Sequence, residues 1–533
     1  MSDFQIYLDK TQEVGFVEQS LQTLAYVKGL PGAKTNEVVV FETGETGQVL
    51  SLTDEYVEVL LLSKTKVHVG TRVARTGQQL TIAISENILG KTINSLGIPS
   101  VGSANADLAV KNPKLSQEKS GGRENRYIDI TPPGINVRKN IDKPFESGVS
   151  IVDLVVPMGR GQRELVIGDR KTGKTEFLLQ NVLTQAQKGV VCVYGAIAKK
   201  RLDIKMIEDF FVKNNIQGNV VVVATSSSDP SGLVFLTPYT AMTIAEYFRD
   251  RGRDTLVILD DMTAHAKYYR EITLLAKRFP GRSSYPGDIF YVHARLMERA
   301  GNFIVNVKAS GSVSDSESLK TRGDEPQARR GEKVQKEVSI TCLPVAELVL
   351  SDLSGFIQTN LMAMTDGHIY FDIDLFNQGR RPPVNPFLSV TRVGRQAQTP
   401  LLRDLSRQLT SFLLHLEDLR QFMHFGAELS EKTRRELALG ERLTAFFDQA
   451  PDAIVPLNIN VILLSCLWGG YWKDVEVSQM KRDQELIIAD YQKDLPYKTK
   501  IDNLLLNIKT FAELVDFVKQ DESIVMGLGK NKA

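Results

Sequence analysis

The segment GDRKTGKT, residues 168–175, has the residue types and spacing of a loop that binds phosphate. It matches G-x-x-x-x-G-K-[ST], in which glycines permit a tight backbone path whose N–H groups surround phosphate oxygens. Lys174 is expected to contact the β- and γ-phosphates, and the Thr175 hydroxyl to bind Mg²⁺. The other loop residues expected around the phosphates are Gly168, Asp169, Arg170, Lys171, Thr172 and Gly173. The spacing therefore predicts a nucleotide site.

The apolar run LVILDD, residues 256–261, supplies a second feature of such a site. An apolar strand that ends in a carboxylate is suited to hold Mg²⁺ through water, and Asp260 has this position. The structural alternative is an aspartate that caps a following helix, a common arrangement.

The segments around these residues alternate between strand and helix patterns. RELVIG precedes the loop, and a helix with apolar residues on one side starts at Lys174 and stops at Gly189. Alternation of this kind predicts a doubly wound α/β domain. The further elements are strands VVCVYG (190–195), NVVVVATSS (219–227) and DTLVILDD (254–261), and helix PYTAMTIAEYFRDRG (238–252).

Different patterns flank this α/β region. Before it, short runs rich in Val, Leu and Ile predict a small β-barrel; they are NEVVVFET (36–43), GQVLSLTDEYVEVLLL (47–62) and GQQLTIAIS (77–85). After about residue 396 the pattern becomes helical, beginning with residues 401–425. We therefore predict a barrel domain (1–92), a nucleotide-binding domain (93–395) and a helical domain (396–533).

Composition excludes several classes of function. Net charge is +1, from 65 basic and 64 acidic residues, which does not favour nucleic acid as a partner. The N-terminal MSDFQIYLDKTQEVGF has neither a signal-peptide nor a transit-peptide pattern, and the apolar run at 459–472 predicts a buried helix rather than a membrane span. Three separated cysteines and six histidines show no ligand spacing, so Mg²⁺ is expected only with the nucleotide.

Four long motifs resemble the alpha-subunit family of F-type ATP synthases. They are VPMGRGQRELVIGDRKTGKT (156–175), PYTAMTIAEYFRDRG, SSYPGDIFYVHARLMERAG (283–301) and NPFLSVTRVGRQAQT (385–399). The loop reads GDRxTGKT, as in alpha, and not GGAGVGKT, as in the catalytic beta subunit. The segment at 421–443 also resembles the alpha pattern.

The resemblance implies an N-terminal β-barrel, a central α/β P-loop (RecA-like) domain and a C-terminal α-helical domain. It also implies ATP or ADP with Mg²⁺, beta subunits that alternate with this chain in a hexamer, and a central-stalk gamma subunit. Membrane contact would run only through the ion-channel sector. That places the chain peripherally on the cytoplasmic face of a bacterial membrane, or on an organelle inner or thylakoid membrane. The N-terminal helix that contacts the peripheral stalk (delta subunit) in the family is short or rewritten here, so the resemblance leaves that contact unassigned.

The family also bears on whether this chain hydrolyses its nucleotide. Beta subunits have a glutamate, and alpha subunits a glutamine, at the position that matches Lys199 in VYGAIAKKRLD (193–203). A protonated lysine cannot orient water as a carboxylate does, so the site is expected to be non-catalytic. The lysine is expected near phosphate or paired with a carboxylate. The alternative is that Asp261 serves as the catalytic acid, as the equivalent residue does in some other P-loop ATPases.

Other residues are assigned through the same resemblance. Arg392 matches the arginine that alpha inserts across the interface into the beta site, where it stabilises charge on the transferred phosphoryl group. Arg381 and Pro382 match residues that flank the adenine. Gln449 matches one of two purine-pocket glutamines, and Pro451 stands at the second position.

Two segments are longer than the family pattern. They are residues 101–131 and the polar stretch 309–337, the latter interpreted as a loop or hairpin tip.

Three other functions are considered. The first alternative is a catalytic hexameric ATPase of the protein-export type. The second is an RNA-translocating ring, which the N-terminal region does not favour because it is neither basic nor rich in aromatic residues. The third is an alpha/beta ring coupled to a partner other than an ion channel.

Overall fold

The structure is a computed structural model, and it describes residues 3–99, 123–308, 333–423 and 430–520. The chain divides into two compact units. The first unit contains residues 1–140, 189–345 and 359–364, and the second contains 141–188, 346–358 and 365–533.

Strands occur throughout the first three-quarters of the chain. In sequence order they are β1 (Val14–Ser20), β2 (Leu24–Lys28), β3 (Glu37–Phe41), β4 (Thr46–Leu52), β5 (Val57–Leu61), β6 (Arg72–Gln79), β7 (Thr81–Ile84), β8 (Thr92–Ile93), β9 (Glu124–Tyr127), β10 (Arg138–Lys139), β11 (Pro144–Phe145), β12 (Met158–Gly159), β13 (Glu164–Gly168), β14 (Val191–Lys199), β15 (Val220–Ser226), β16 (Thr255–Asp260), β17 (Gly301–Lys308), β18 (Lys333–Glu347), β19 (Gly367–Phe371) and β20 (Val390–Thr391).

Helices dominate the last third of the chain. In sequence order they are α1 (Asp3–Thr11), α2 (Ser150–Val155), α3 (Lys174–Gln187), α4 (Arg201–Lys213), α5 (Ser231–Arg249), α6 (Met262–Leu275), α7 (Ile289–Met297), α8 (Phe356–Met364), α9 (Ile373–Asn377), α10 (Pro400–Met423), α11 (Glu431–Phe447), α12 (Leu457–Gly469), α13 (Val477–Lys493), α14 (Leu495–Asn507) and α15 (Phe511–Gln520).

The first unit begins with the predicted barrel, which closes in the order β1-β2-β5-β4-β3-β6. Alternate side chains point inward because successive residues of a strand face opposite sides. Val27, Val39, Phe41, Val59 and Val73 are among the buried residues of its interior. The barrel prediction is confirmed, except that the last predicted run is split between β6 and β7, and β7 pairs with β9 outside the barrel.

The same unit contains a parallel sheet in the order β8-β15-β14-β16-β18. β17 joins it antiparallel to β18, and β10 pairs with β17. Every residue of β15 and β16 is buried, as expected when helices cover both faces of a parallel sheet. This is the predicted doubly wound α/β pattern.

A buried ion pair stabilises the first unit, and its removal is expected to be costly. Arg299 donates through Nη2 and Nε to the Glu246 carboxylate at 2.6 and 3.0 Å, and both side chains are almost completely buried. In Arg299→Met, the carboxylate loses its nearest countercharge and keeps only Arg249, 4.0 Å away, so we expect a loss of about 3–5 kcal/mol in the free energy of unfolding. Thermal unfolding and limited proteolysis of the full-length protein measure this loss.

The matched control is an exposed ion pair in the same unit. Lys205 and Asp209 lie 2.9 Å apart, and each side chain is 61% exposed. Lys205→Met should leave the unfolding midpoint nearly unchanged, because solvent screens such pairs. Equal losses in the two variants would contradict the prediction.

The second unit contains the phosphate-loop strand and the C-terminal helices. β13 is parallel to β19, and β20 is antiparallel to β19. α12 is buried on almost all sides from Leu457 to Leu467, which confirms the predicted buried helix, although it ends at Gly469 and not at residue 472. None of the helices formed by the described residues has the length and apolarity needed to cross a membrane.

Two sequence-based boundaries need correction. α5 begins at Ser231, seven positions before the predicted start, and passes through Pro238. Residues 333–337, predicted to belong to the polar loop, form the start of β18, where Lys333 pairs with Lys308 across the hairpin. Of the two long segments, residues 100–122 and 309–332 lie outside the described residues, as do 424–429 of the alpha-like segment at 421–443.

Candidate nucleotide site and arginine finger

Two glycines shape the phosphate loop in the second unit. Gly168 ends β13 opposite Phe371, and a Cβ added there would lie 2.5 Å from the Phe371 carbonyl oxygen. Gly173 caps α3 with a φ of 85°, a left-handed conformation that side chains with a Cβ rarely adopt. The strand–loop–helix arrangement that a phosphate site requires is therefore present, with the α3 N-terminus at the loop.

Lys174 is buried within this loop. Its Nζ donates hydrogen bonds to the carbonyl oxygens of Gly168, at 2.8 Å, and Asp169. The Thr172 hydroxyl also donates to the Asp169 carbonyl oxygen, at 2.8 Å. The ammonium group thus lies among loop carbonyls, and Thr175 follows half-buried in the first turn of α3.

Two charged side chains at the start of the loop, Asp169 and Arg170, bind neighbouring residues of the second unit. The Asp169 carboxylate accepts hydrogen bonds from the backbone N and the hydroxyl of Ser351, at 3.0 and 2.8 Å. Arg170 Nε donates to Glu347, the last residue of β18, at 2.8 Å. Lys171 is exposed and has a φ of 62°. Asp169 and Arg170 therefore hold the loop against the end of β18 and the residues that follow it.

The residues assigned to the adenine are joined to one another in the second unit. The Gln449 backbone N donates to the Arg381 carbonyl oxygen at 2.7 Å. The Gln449 side-chain amide accepts from Ser150 N at 3.0 Å and donates to the carbonyl oxygens of Gly148 and Ala453 at 2.6 Å each. Its side chain therefore also joins two backbone segments, residues 148–150 and the one at Ala453.

Arg381 and Pro382 line a cavity in the second unit. The cavity has a volume of about 470 Å³, a size common for small-molecule sites, and helices α10 and α11 form its other side. The Arg381 guanidinium lies 3.7 Å from the centre of the Phe376 ring and donates to the Phe376 carbonyl oxygen at 2.9 Å. These contacts fix the arginine in one orientation.

Asp260 belongs to the first unit, where it ends β16. One carboxylate oxygen lies 2.7 Å from Lys199 Nζ, and the other accepts a hydrogen bond from the Tyr194 hydroxyl at 2.8 Å. The Asp260 side chain is only 3% exposed and that of Lys199 21%. Of the two placements expected for Lys199, the structure shows the one paired with a carboxylate.

Asp261 has a structural role next to it. Its side chain accepts a hydrogen bond from Ala264 N and thereby caps α6. The helix-capping alternative was considered for Asp260, but the residue that caps the helix is Asp261. Sequence reasoning missed Tyr194, whose only signal was a polar aromatic residue within the apolar run VVCVYG.

Arg392 follows β20 in the second unit with an exposed side chain. Its backbone N donates to the Asp366 carbonyl oxygen at 3.0 Å, and Asp366 is held by Arg163 through a 2.7 Å ion pair. Within the described residues, its guanidinium has no hydrogen bond or ion pair. The backbone is thus fixed while the charged group points to solvent.

Glu164 lies close enough to Arg392 for their charges to interact, and sequence reasoning missed it. Burial raises the pKa of its carboxyl well above the usual range, and the negative charge of Asp366 adds to this rise. One oxygen accepts from Gln162 Nε2 at 2.6 Å. The sequence signal was a charged residue that begins an apolar strand.

Comparison with known proteins now gives the family. The model for the ATP synthase alpha/beta family, nucleotide-binding domain, matches residues 148–391, and the model for the C-terminal domain of ATP synthase alpha/beta subunits matches 398–520. The protein is 33% identical to ATP synthase subunit alpha of Aquifex aeolicus (strain VF5) over 519 residues, covering 96% of this sequence and 94% of the relative. The chain belongs to the ATP synthase alpha subunit family.

Further relatives agree with this assignment. The ATP synthase subunits alpha of Mannheimia succiniciproducens and Sulfurovum sp. (strain NBC37-1) are 34% and 33% identical, over 91% and 90% of this sequence and 88% and 87% of the relatives. The sequence-based identification and the fold class of barrel, nucleotide-binding α/β domain and helical domain are thereby confirmed. The roles of individual residues stay predictions.

Proposed function

We propose that this protein is the non-catalytic, nucleotide-binding alpha subunit of an F-type rotary ATP synthase or ATPase. In this proposal it holds ATP or ADP itself and supplies Arg392 to the catalytic sites of neighbouring beta subunits. The observation that carries the proposal is the presence of a lysine, Lys199, next to Asp260. The position that would need a carboxylate for hydrolysis has an ammonium group, bound to Asp260 at 2.7 Å.

The phosphate loop and the cavity at Arg381 support nucleotide binding. Lys174 and the N-terminus of α3 offer positive charge and N–H donors to phosphate. The cavity of about 470 Å³ is large enough for a purine base. The sequence motifs assign Mg²⁺ to Thr175 and Asp260, where it would neutralise phosphate charge, but the Asp260 carboxylate is already paired with Lys199.

The exposed guanidinium of Arg392 supports the arginine-finger role. A finger must extend from a rigid backbone and must not be neutralised within its own subunit, because its charge acts on a neighbouring active site. Within the described residues, the Arg392 backbone is bonded to Asp366 and its guanidinium makes no hydrogen bond or ion pair.

The partners follow from the family. We propose an alternating hexamer with beta subunits around a gamma stalk, coupled through an ion-channel sector. The protein would then lie peripherally on the cytoplasmic face of a bacterial membrane. Its similarity to alpha subunits over most of its length favours this over an export ATPase or an RNA-translocating ring. A ring coupled to a partner other than an ion channel stays an alternative, because nothing in this sequence excludes it. The coupling ion is chosen by membrane subunits and not by this chain.

ATP turnover by the isolated full-length protein tests the proposal. We expect nucleotide to bind without sustained hydrolysis, because the position that needs a carboxylate to orient the attacking water has Lys199. Turnover should begin only when the beta partner is added and the complex assembles. Brisk steady hydrolysis by the isolated protein would overturn the non-catalytic assignment and favour the export-type alternative.

A further inference from the structure

The backbone around Lys199 is fixed by the neighbouring strand. The pairing of β14 with β15 shifts register between Ala196 and Lys199, and Ala198 has a φ of 53°. Beyond this irregularity, the Lys199 carbonyl oxygen accepts a hydrogen bond from Ser227 N at 3.1 Å. Irregularities of this kind re-aim side chains near functional sites. This local backbone conformation therefore places the Lys199 side chain next to Asp260.

The Asp260 carboxylate has a partner on each oxygen. Lys199 Nζ lies 2.7 Å from Oδ1, and the buried Tyr194 hydroxyl donates to Oδ2 at 2.8 Å. A carboxylate that is almost completely buried needs a countercharge, and the ammonium provides it. The negative charge of Asp260 is thus compensated within the first unit by the protein itself.

This arrangement does not suit a carboxylate that holds Mg²⁺. Magnesium demands near-octahedral oxygen ligands at about 2.0–2.1 Å and keeps several waters. Such a hydrated cation would have to displace the ammonium from Oδ1 or lie within a few ångströms of its positive charge. Both options cost free energy, because like charges repel strongly where water is largely excluded.

We propose that the Lys199 ammonium replaces the divalent cation at Asp260, so that this protein binds its nucleotide without requiring Mg²⁺. The proposal rests on the nucleotide-binding function proposed above. It assigns to Lys199 a role in setting metal dependence: its charge compensates Asp260 in place of a divalent cation. Catalysis in the beta subunits is a separate matter and is not affected.

Calorimetric titration of the full-length protein with ATP tests this directly. Affinity is measured with excess EDTA and again with excess Mg²⁺. For the natural sequence we expect the two affinities to agree within about tenfold, or 1.4 kcal/mol. Lys199→Gln should bind ATP at least about tenfold more weakly in EDTA, and Mg²⁺ should restore its affinity.

Two further variants separate charge from structure. Lys199→Arg keeps the positive charge and should retain metal-independent binding. Lys200→Gln, at the adjacent exposed lysine, should behave as the natural sequence does. As a readout independent of affinity, electron paramagnetic resonance of Mn²⁺ should detect a nucleotide-dependent bound ion in Lys199→Gln and little in the natural sequence.

The outcomes distinguish the two proposals. If the natural sequence requires Mg²⁺ for tight ATP binding, the metal-replacement proposal is wrong while nucleotide binding stands. The comparison of ATP affinity in EDTA and in Mg²⁺ uses the natural sequence alone, so it tests the metal-replacement proposal even if Lys199→Gln fails to fold. If ATP binds in neither condition, the proposed nucleotide-binding function fails, and the metal-replacement proposal fails with it.

Discussion

Arg392→Ala is expected to abolish ATP turnover by the assembled complex while nucleotide stays bound to this subunit. An arginine supplied in trans to a phosphoryl-transfer site contributes about 10³–10⁵ in rate in related systems, so we expect a loss of that order. The side chain is exposed and makes no hydrogen bond or ion pair with the described residues, so its removal should not disturb the fold. Steady-state ATPase assays, together with nucleotide analysis of the purified complex, measure both parts.

The same loop offers a control for this prediction. Arg395 is also exposed and lies three positions further along. Arg395→Ala should assemble and turn over ATP nearly as the unmodified complex does. Arg392→Lys keeps a charge but loses the planar, bidentate group, so it should restore only part of the rate. Near-normal turnover of Arg392→Ala would remove the finger assignment.

Lys174→Met is expected to weaken nucleotide binding by this protein by about a hundredfold. Charge-assisted hydrogen bonds contribute about 1.5–3 kcal/mol each, and the Lys174 ammonium is predicted to donate to phosphate. Methionine has a similar length and suits the buried position, but it loses the hydrogen bonds that Nζ donates to the carbonyl oxygens of Gly168 and Asp169. Calorimetric titration of the full-length protein with ATP measures the loss.

Lys171 provides the matched substitution. It lies in the same loop with an exposed side chain, and the loop is anchored by its neighbours Asp169 and Arg170 instead. Lys171→Met removes the same charge from the same segment and should change the affinity only slightly. If both variants lost affinity equally, general electrostatic attraction rather than a specific contact of Lys174 would account for binding.

Local sequence patterns predicted elements whose formation depends on near neighbours in the sequence. The spacing of glycines and Lys174 predicted the start of α3, and α3 begins there. The run of apolar residues at 459–472 predicted a buried helix because no polar face interrupts it, and α12 confirms this. These features needed no knowledge of distant residues.

The start of α5 shows where a local rule fails. Proline usually occurs in the first turn of a helix, and the helix predicted for residues 238–252 began at Pro238. The helix instead begins at Ser231, and almost all of its residues are buried. Burial of this length of apolar surface outweighs the hydrogen bond that the proline cannot donate.

The amino-acid sequence by itself determined the phosphate loop, the order of barrel, α/β and helical regions, and the family. Only the tertiary structure decided that Lys199 pairs with Asp260, that Asp261 caps α6 and that the Gln449 side chain joins two backbone segments. Lys199 and Asp260 are 61 positions apart in the sequence, and the pairing of β14 with β16 brings them together. Residue types and spacing report which groups can carry charge, whereas strand register decides which of those charges meet.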